Sequence, residues 1–465
     1  MAMVYDAITN AIGGTKRITD SVALVQRQAD SLKNLTNQGT NNPIVVPDSV
    51  RNLMINSEFG ALSGLAQGQI TEPTLENEVF KITFSSKGGR IKNVLLKEHF
   101  KIYTDSLRKD TKLPLYLFED IKNRFEYIIP TATAKGKIST EDLYFTPSVS
   151  GNQLVMRASV DANTFIEQKY VIGKGFDIDY EAQLKGLGVV ANPNIKTVQL
   201  NVENYLDLLE KNDTYERSYS YQRYKIEGET SDYLGATGSD REELNKKPIT
   251  WISHANQFFN TSFLSQGAGF KSAVLESEGY DRSSNDLKKV VSKIELPFSG
   301  GEAALKMKIF IGPNDFNLLK SYKIGLEDVV DYGGSILGTI NRWAIRPIFD
   351  FLQGIFGNAA TCILLLTLIV KALLYPLSYK QLRSQAKTTA LKPEIDKLKV
   401  KLKDDQQQVQ VETMKLYNEF GVNPLGGCLP TLLQMPIWMA FVPIFSCFDR
   451  FSPKRFFMGN RPHGL

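Results

Sequence analysis

Hydrophobic and polar positions alternate in three different ways along the chain. Between residues 51 and 320, short runs switch strictly between apolar and polar: Val79–Phe84, Phe165–Ile172, Phe176–Tyr180, Val290–Leu296 and Leu305–Ile311. Successive side chains of a strand point to opposite faces, so this period of two predicts half-buried strands of a sandwich. Gly88-Gly89 and Ser299-Gly300-Gly301 supply turns. Residues 51–325 are read as one large all-β domain.

The second pattern, over 333–357, is helical. Arg342, Arg346 and Asp350 recur every four residues, while Ile340, Trp343, Ile348, Phe349, Phe351, Leu352 and Ile355 cover the other sides. A wide apolar face, a narrow charged stripe and a Trp fit a helix lying in a membrane interface, with a kink expected at Pro347.

The third pattern is continuous apolarity. Ala359–Leu377 runs for 19 residues with a single charge, Lys371. At ~1.5 Å per residue it just crosses a ~30 Å hydrocarbon core, which predicts a transmembrane helix over 359–378. A Lys inside such a span costs roughly 2.5–3.5 kcal/mol. Thr367, Lys371, Tyr375 and Ser378 share one helical face. A polar stripe at that depth must meet protein or water, because lipid satisfies none of it. The plainer alternative is that the Lys371 stem lifts its ammonium to the headgroups.

Lys380, Arg383, Lys387, Lys392 and Lys397 follow the span closely, and only Arg342 and Arg346 flank its other end. The positive-inside rule makes 379–428 cytoplasmic and puts the β domain on the opposite side, the periplasm of a double-membrane bacterium. Leu391, Ile395, Leu398 and Leu402, then Met414, Tyr417 and Phe420, keep a 3–4 spacing on either side of Asp404-Asp405-Gln406. That predicts a helical hairpin. Residues 429–448 are 20 uncharged residues containing Gln434, Pro436 and Pro443, and predict a second span. Residues 1–50 hold a short helical pattern at Val22–Leu32 and a polar linker at Asn34–Pro43; 449–465 form a basic tail.

Charge sharpens the division. After residue 330 there are 16 Lys and Arg against 9 Asp and Glu, whereas the first 330 residues hold 39 and 41. The basic excess belongs to the membrane part, and no basic patch interleaved with aromatics marks a nucleic-acid surface. Cys362, Cys428 and Cys447 all lie in or beside apolar runs, so no disulfide framework is implied. His99, His254 and His463 have no metal-ligand spacing. No nucleophile elbow, P-loop or dinucleotide fingerprint is present, so neither enzyme chemistry nor a cofactor is expected. Tyr215, Tyr219, Tyr221 and Tyr224 are read as a solvated Tyr-rich loop, with a sugar or peptide groove as the alternative.

Several stretches resemble a known family. TLIVKALLYPLSY (367–379), LKPEIDKLK (391–399) and NPLGGCLPTLLQMPI (423–437) are similar to the YidC/Oxa family of membrane protein insertases. TLENEVFKITFSSKGGRIKNVLLK (74–97), WISHANQFFNTSFLS (251–265) and IGPNDFNLLKSY (311–322) resemble the periplasmic domain of its Gram-negative members. The resemblance covers residues 70–448. It implies a periplasmic β-supersandwich followed by an α-helical membrane domain with a hydrophilic groove open to cytoplasm and lipid. Lys371 stands where the family keeps a positive charge, usually Arg, so the charge is retained without the bidentate fork. Thr367 matches a groove threonine. The cytoplasmic hairpin, with Lys380, Arg383, Lys387 and Lys392, matches the element that engages incoming chains or ribosomes. Implied partners are nascent membrane proteins, the Sec translocon, the ribosome and the lipid bilayer. A first span before residue 50 and three spans after Phe448 are expected of the family and not found, so the sequence reads as truncated at both ends. Two other readings stand beside insertion: a tethered sandwich that binds or processes carbohydrate, and a scaffold whose β domain docks a translocon.

Overall fold

The computed structural model describes residues 48–421, apart from 105–109, 120–121, 210–212, 236–237, 283, 285, 332–334 and 403–404, and also Met435. Val22–Leu32, the polar linker, the second span with Gln434 (Met435 excepted) and the basic tail lie outside these residues. The chain divides into two compact units, Met1–Val329 and Val330–Leu465.

The first unit is a β-sandwich preceded by helix α1 (Asp48–Phe59). Its strands are β1 (Thr74–Glu76), β2 (Phe80–Ser85), β3 (Arg90–Thr104), β4 (Asp110–Tyr116), β5 (Arg124–Pro130) and β6 (Lys137–Ser139). Next come β7 (Thr146–Ser150), β8 (Gln153–Ser159), β9 (Phe165–Ile172), β10 (Asp177–Lys185) and β11 (Thr197–Asp207). After helix α2 (Asp213–Ser218) follow β12 (Tyr221–Ile226), β13 (Ser231–Leu234), β14 (Ser239–Leu244), β15 (Ile249–Ala255) and β16 (Phe259–Ser265). β17 (Ser272–Gly279), β18 (Asp286–Pro297), β19 (Ala303–Pro313) and helix α3 (Phe316–Lys320) complete it.

Three sheets result: β1-β2-β3-β4, the nine-stranded β13-β12-β15-β16-β19-β10-β9-β8-β7, and the six-stranded β14-β17-β18-β11-β5-β6. Each of the alternating runs singled out in the sequence lies in or overlaps a strand. In β10 the inward residues are Ile178, Tyr180, Ala182 and Leu184, each buried beside an outward polar neighbour. Tyr127 of β5 and Tyr180 of β10 bridge the two large sheets through their hydroxyls at 2.9 Å. Gly88 and Gly89 turn between β2 and β3 at φ +86° and +63°, a region other residues seldom enter. Gln168 Nε2 donates to Gly88 O and Tyr170 Oη to Gly89 O, at 3.1 and 2.9 Å, which locks that turn onto the sandwich core.

The tyrosines differ from the solvated-loop expectation. Tyr221 and Tyr224 sit on β12, and Tyr224 is buried at 3% exposure. The strand is interior to its sheet, between β13 and β15, so its alternate side chains must point into the core.

The second unit is helical: α4 (Ser335–Ile340), a π-turn (Asn341–Ile345), α5 (Arg346–Phe356), α6 (Ala359–Lys401) and α7 (Gln406–Glu419). A π-turn at Asn341–Ile345 interrupts the α-helical hydrogen bonding between Arg342 and Arg346. Arg346 Nε still pairs with Asp350 Oδ2 at 3.3 Å. Pro347 stands in the first turn of α5, where a missing N–H costs least. Ile345, Phe349 and Leu352 pack against Cys362 and Leu366 of α6.

The corner between α5 and α6 is two residues long. Gly357 ends α5 at φ +63° and donates its N–H to Gln353 O. Asn358 then caps α6, its Oδ1 accepting from Ala360 N at 2.9 Å. Such Gly-then-Asn chemistry closes one helix and opens the next with few orphan backbone groups.

Candidate functional site

Helix α6 carries the membrane-depth residues. It is 43 residues long, ~65 Å, about twice what a hydrocarbon core requires. Its apolar stretch is long and apolar enough to cross a membrane, and only 11% of that stretch is buried. A soluble core helix of this composition would be mostly covered. Leu364, Leu368, Leu373 and Leu382 are instead exposed, the side-chain chemistry that lipid accepts.

Thr367, Lys371, Tyr375 and Ser378 follow one another on a single face of this helix, as their spacing requires. Their donors divide into two kinds. Thr367 Oγ1 donates to Ile363 O at 2.8 Å, and Ser378 Oγ donates to Leu374 O at 3.1 Å. Both hydroxyls therefore spend their protons on their own helix. Lys371 and Tyr375 are exposed, and among the described residues Lys371 makes no ion pair or hydrogen bond. Tyr375 lies beside Tyr379, ring centroids 6.4 Å apart. Among the described residues, the face thus offers one uncommitted ammonium beside hydroxyl side chains.

The helix does not break at residue 378. Lys380, Arg383, Lys387 and Lys392 all lie exposed on the same continuous α6, and 380, 383 and 387 share one side. Pro376 and Pro393 are both inside it. α6 and α7 form a hairpin: Leu391 and Ile395 pack against Leu416 and Tyr417. Asp405 opens α7, its Oδ1 accepting from Gln408 N at 2.9 Å. The expected inner face of α7 needs correction. Met414 and Phe420 are 54% and 56% exposed. The face touching α6 keeps the expected Tyr417 and adds Leu416.

Asn341, wholly buried in the π-turn, carried no sequence signal of its own. Trp343, Phe351, Ile355 and Phe356 project from the α4–α5 segment, with Trp343 the most exposed at 77%.

An all-β sandwich followed by a lipid-compatible helix with a charged face defines a membrane protein carrying a large folded domain outside the hydrocarbon. Residues 72–349 match the family model described as YidC periplasmic domain, and 351–461 the one described as 60Kd inner membrane protein. A membrane protein insertase YidC from Parabacteroides distasonis is 33% identical over 90% of this chain and 64% of its own length. One from Phocaeicola vulgatus is 33% identical over 92% and 68%. A solved active YidC insertase aligns over 85% of this chain and 77% of its own at 16% identity, with a TM-score of 0.26, too low to support an argument. The chain belongs to the YidC family and is an inner-membrane protein. It spans about two thirds of the length of these relatives.

Proposed function

We propose that this chain serves membrane protein insertion, taking nascent inner-membrane proteins through a hydrophilic intramembrane groove, alone or with the Sec translocon. The observation that carries the reading is Lys371: an uncommitted ammonium among Thr367, Tyr375 and Ser378, within a span whose other residues suit lipid. Keeping a charge there costs energy that no partner among the described residues returns, and we read it as retained for what it meets.

An inserting segment must carry a polar flank across the bilayer. A wet groove shortens the apolar distance that flank crosses. Lys371 attracts acidic residues in it, and the membrane potential adds ~2.3 kcal/mol per charge per 100 mV. The apolar segment then partitions into lipid, where its burial is favourable. No bond is made or broken, so the activity is transport and not enzymatic. Gln434, in the second span, contributes a further polar group to the groove of a multi-pass protein. The hairpin with Lys380, Arg383, Lys387 and Lys392 faces the cytoplasm and receives chains from the ribosome, while the sandwich stands in the periplasm. The family relatives favour this reading over a carbohydrate-processing sandwich.

The test is insertion of a single-span substrate with an acidic translocated flank into proteoliposomes. Lys371→Ala lowers insertion by about tenfold and Lys371→Arg restores it; equal insertion by all three forms removes Lys371 from the mechanism.

A further inference from the structure

The side of α6 turned away from Lys371 changes character where the apolar run ends. At about 100° per residue, Ile369 and Leu373 lie about 160–200° around the helix from Lys371. Lys380, Arg383 and Lys387 lie about 120–180° around it, so the five residues follow one ridge. Ile369 and Leu373 are 37% and 73% exposed, and the three basic residues are exposed too. The ridge is apolar at membrane depth and cationic just beyond it.

The rise along the axis places the charges. Counted from Leu377, the last residue of the apolar run, Lys380 stands ~4.5 Å further on, Arg383 ~9 Å and Lys387 ~15 Å. The headgroup layer outside the hydrocarbon is roughly 5–8 Å thick. Side chains of a helix lean toward its N-terminus, which for α6 is back toward the bilayer. Long stems leaning that way bring Lys380 and Arg383 to the level of lipid phosphates and Lys387 to its outer edge. The Arg383 fork, between two lysines, suits a phosphate taken by two hydrogen bonds.

No carboxylate occurs between Lys371 and Pro393. Among the described residues, Lys380, Arg383 and Lys387 make no ion pair. Lysines nearer the hairpin's turn are held differently. Lys397 pairs with Glu394 at 2.8 Å and Lys399 with Asp396 at 3.6 Å, and on α7 Lys415 pairs with Glu412 at 2.7 Å. Carboxylates thus return only ~25 Å past the apolar run, beyond the headgroups. A carboxylate on the ridge would compete with lipid phosphate for the cations and be repelled by an anionic leaflet. Its absence over this layer fits such a surface. The α7 contact, through Leu391 and Ile395, lies further out than the ridge.

We propose that Lys380, Arg383 and Lys387 bind the phosphate headgroups of anionic phospholipids in the cytoplasmic leaflet, on the face of α6 away from Lys371. The site rests on the reading of α6 as a span whose C-terminal end is cytoplasmic. The hairpin from Lys392 outward is left for cytoplasmic partners.

The experiment uses the full chain in detergent micelles, with dioleoyl phosphatidylglycerol or dioleoyl phosphatidylcholine added and bound lipid counted by native mass spectrometry. Saturable retention of phosphatidylglycerol over phosphatidylcholine is expected. Each basic residue near an anionic surface strengthens attachment about fivefold. The ridge set, Lys380→Gln with Arg383→Gln and Lys387→Gln, should therefore weaken retention at least about tenfold. An outer set that removes the same charge, Lys392→Gln with Lys397→Gln and Lys399→Gln, should leave it within about twofold. A charge-keeping set, Lys380→Arg with Arg383→Lys and Lys387→Arg, should retain it. No inserting chain is present, so this result and the insertase reading can fail separately. Equal retention of the two lipids, or equal weakening by the ridge and outer sets, would overturn the proposal. So would ribosome cosedimentation lost with the ridge set while its phosphatidylglycerol binding stays unchanged.

Discussion

Ser292 Oγ stands 2.7 Å from His254 Nε2, joining the six-stranded sheet to the nine-stranded one at a fully buried seam. Burial holds this imidazole neutral down to about 3, far below a free histidine. The unfolded chain then binds more protons than the folded one below pH ~6.5, so stability falls as pH drops through that point. Between pH 6.5 and 5, where carboxylates are largely ionised in both states, the loss from His254 is about 2 kcal/mol. His99, also lowered by burial, adds in the same direction. Urea midpoints by circular dichroism should fall accordingly, and His254→Gln should flatten the slope. A midpoint independent of pH over that window would mean the imidazole is not buried neutral.

Gly89 tests the turn at the centre of the β2–β3 hairpin. A Cβ there would lie 2.7 Å from Gln168 Nε2 and 3.0 Å from the Phe145 ring, at φ +63°. Gly151 has nearly the same backbone, φ +59°, but nothing within 4 Å. Gly89→Ala should cost at least about 2 kcal/mol, and Gly151→Ala about 1 kcal/mol. Thermal unfolding of both variants separates backbone strain from collision; equal shifts would leave the collision without effect.

Trp343 reports where the π-turn lies. At 77% exposure, beside Phe351 and Ile355, it suits the headgroup boundary. With Trp251 and Trp438 replaced by Phe, brominated acyl chains should quench its fluorescence strongly in bilayers. Quenching by aqueous iodide instead would put this segment in water.

The polar face of α6 should be wet. In a chain with Cys362, Cys428 and Cys447 replaced by Ser, single cysteines at 367, 371 and 375 should react with a membrane-impermeant maleimide, while one at 368 should not. Uniformly dry positions would mean that Lys371 reaches the headgroups by its stem.

How much of this was legible beforehand follows from what each pattern encodes. β9, β10 and β19 alternate because one face is solvated, and they read easily. β15 and β16 do not: nearly every residue in them is buried, so Ser253, His254, Asn260 and Ser262 sit where an alternating template expects apolar side chains. Ser253, Asn260 and Ser262 bond one another across β15 and β16, whereas His254 meets Ser292 of distant β18, and pairing across that separation leaves no local trace. The apolar stretch of α6 and the spacing of Lys371 were legible because a helix needs only its own sequence to define a face. The π-turn was not, since a single extra residue per turn alters register without altering composition.

The length of α6 has a mechanical consequence. From Lys371 to Lys401, at the hairpin's turn, the backbone is helical throughout, ~45 Å of rod. Charge and tip therefore belong to one element, and Pro376 and Pro393 are the two places along it where a backbone hydrogen bond is given up and the axis can bend.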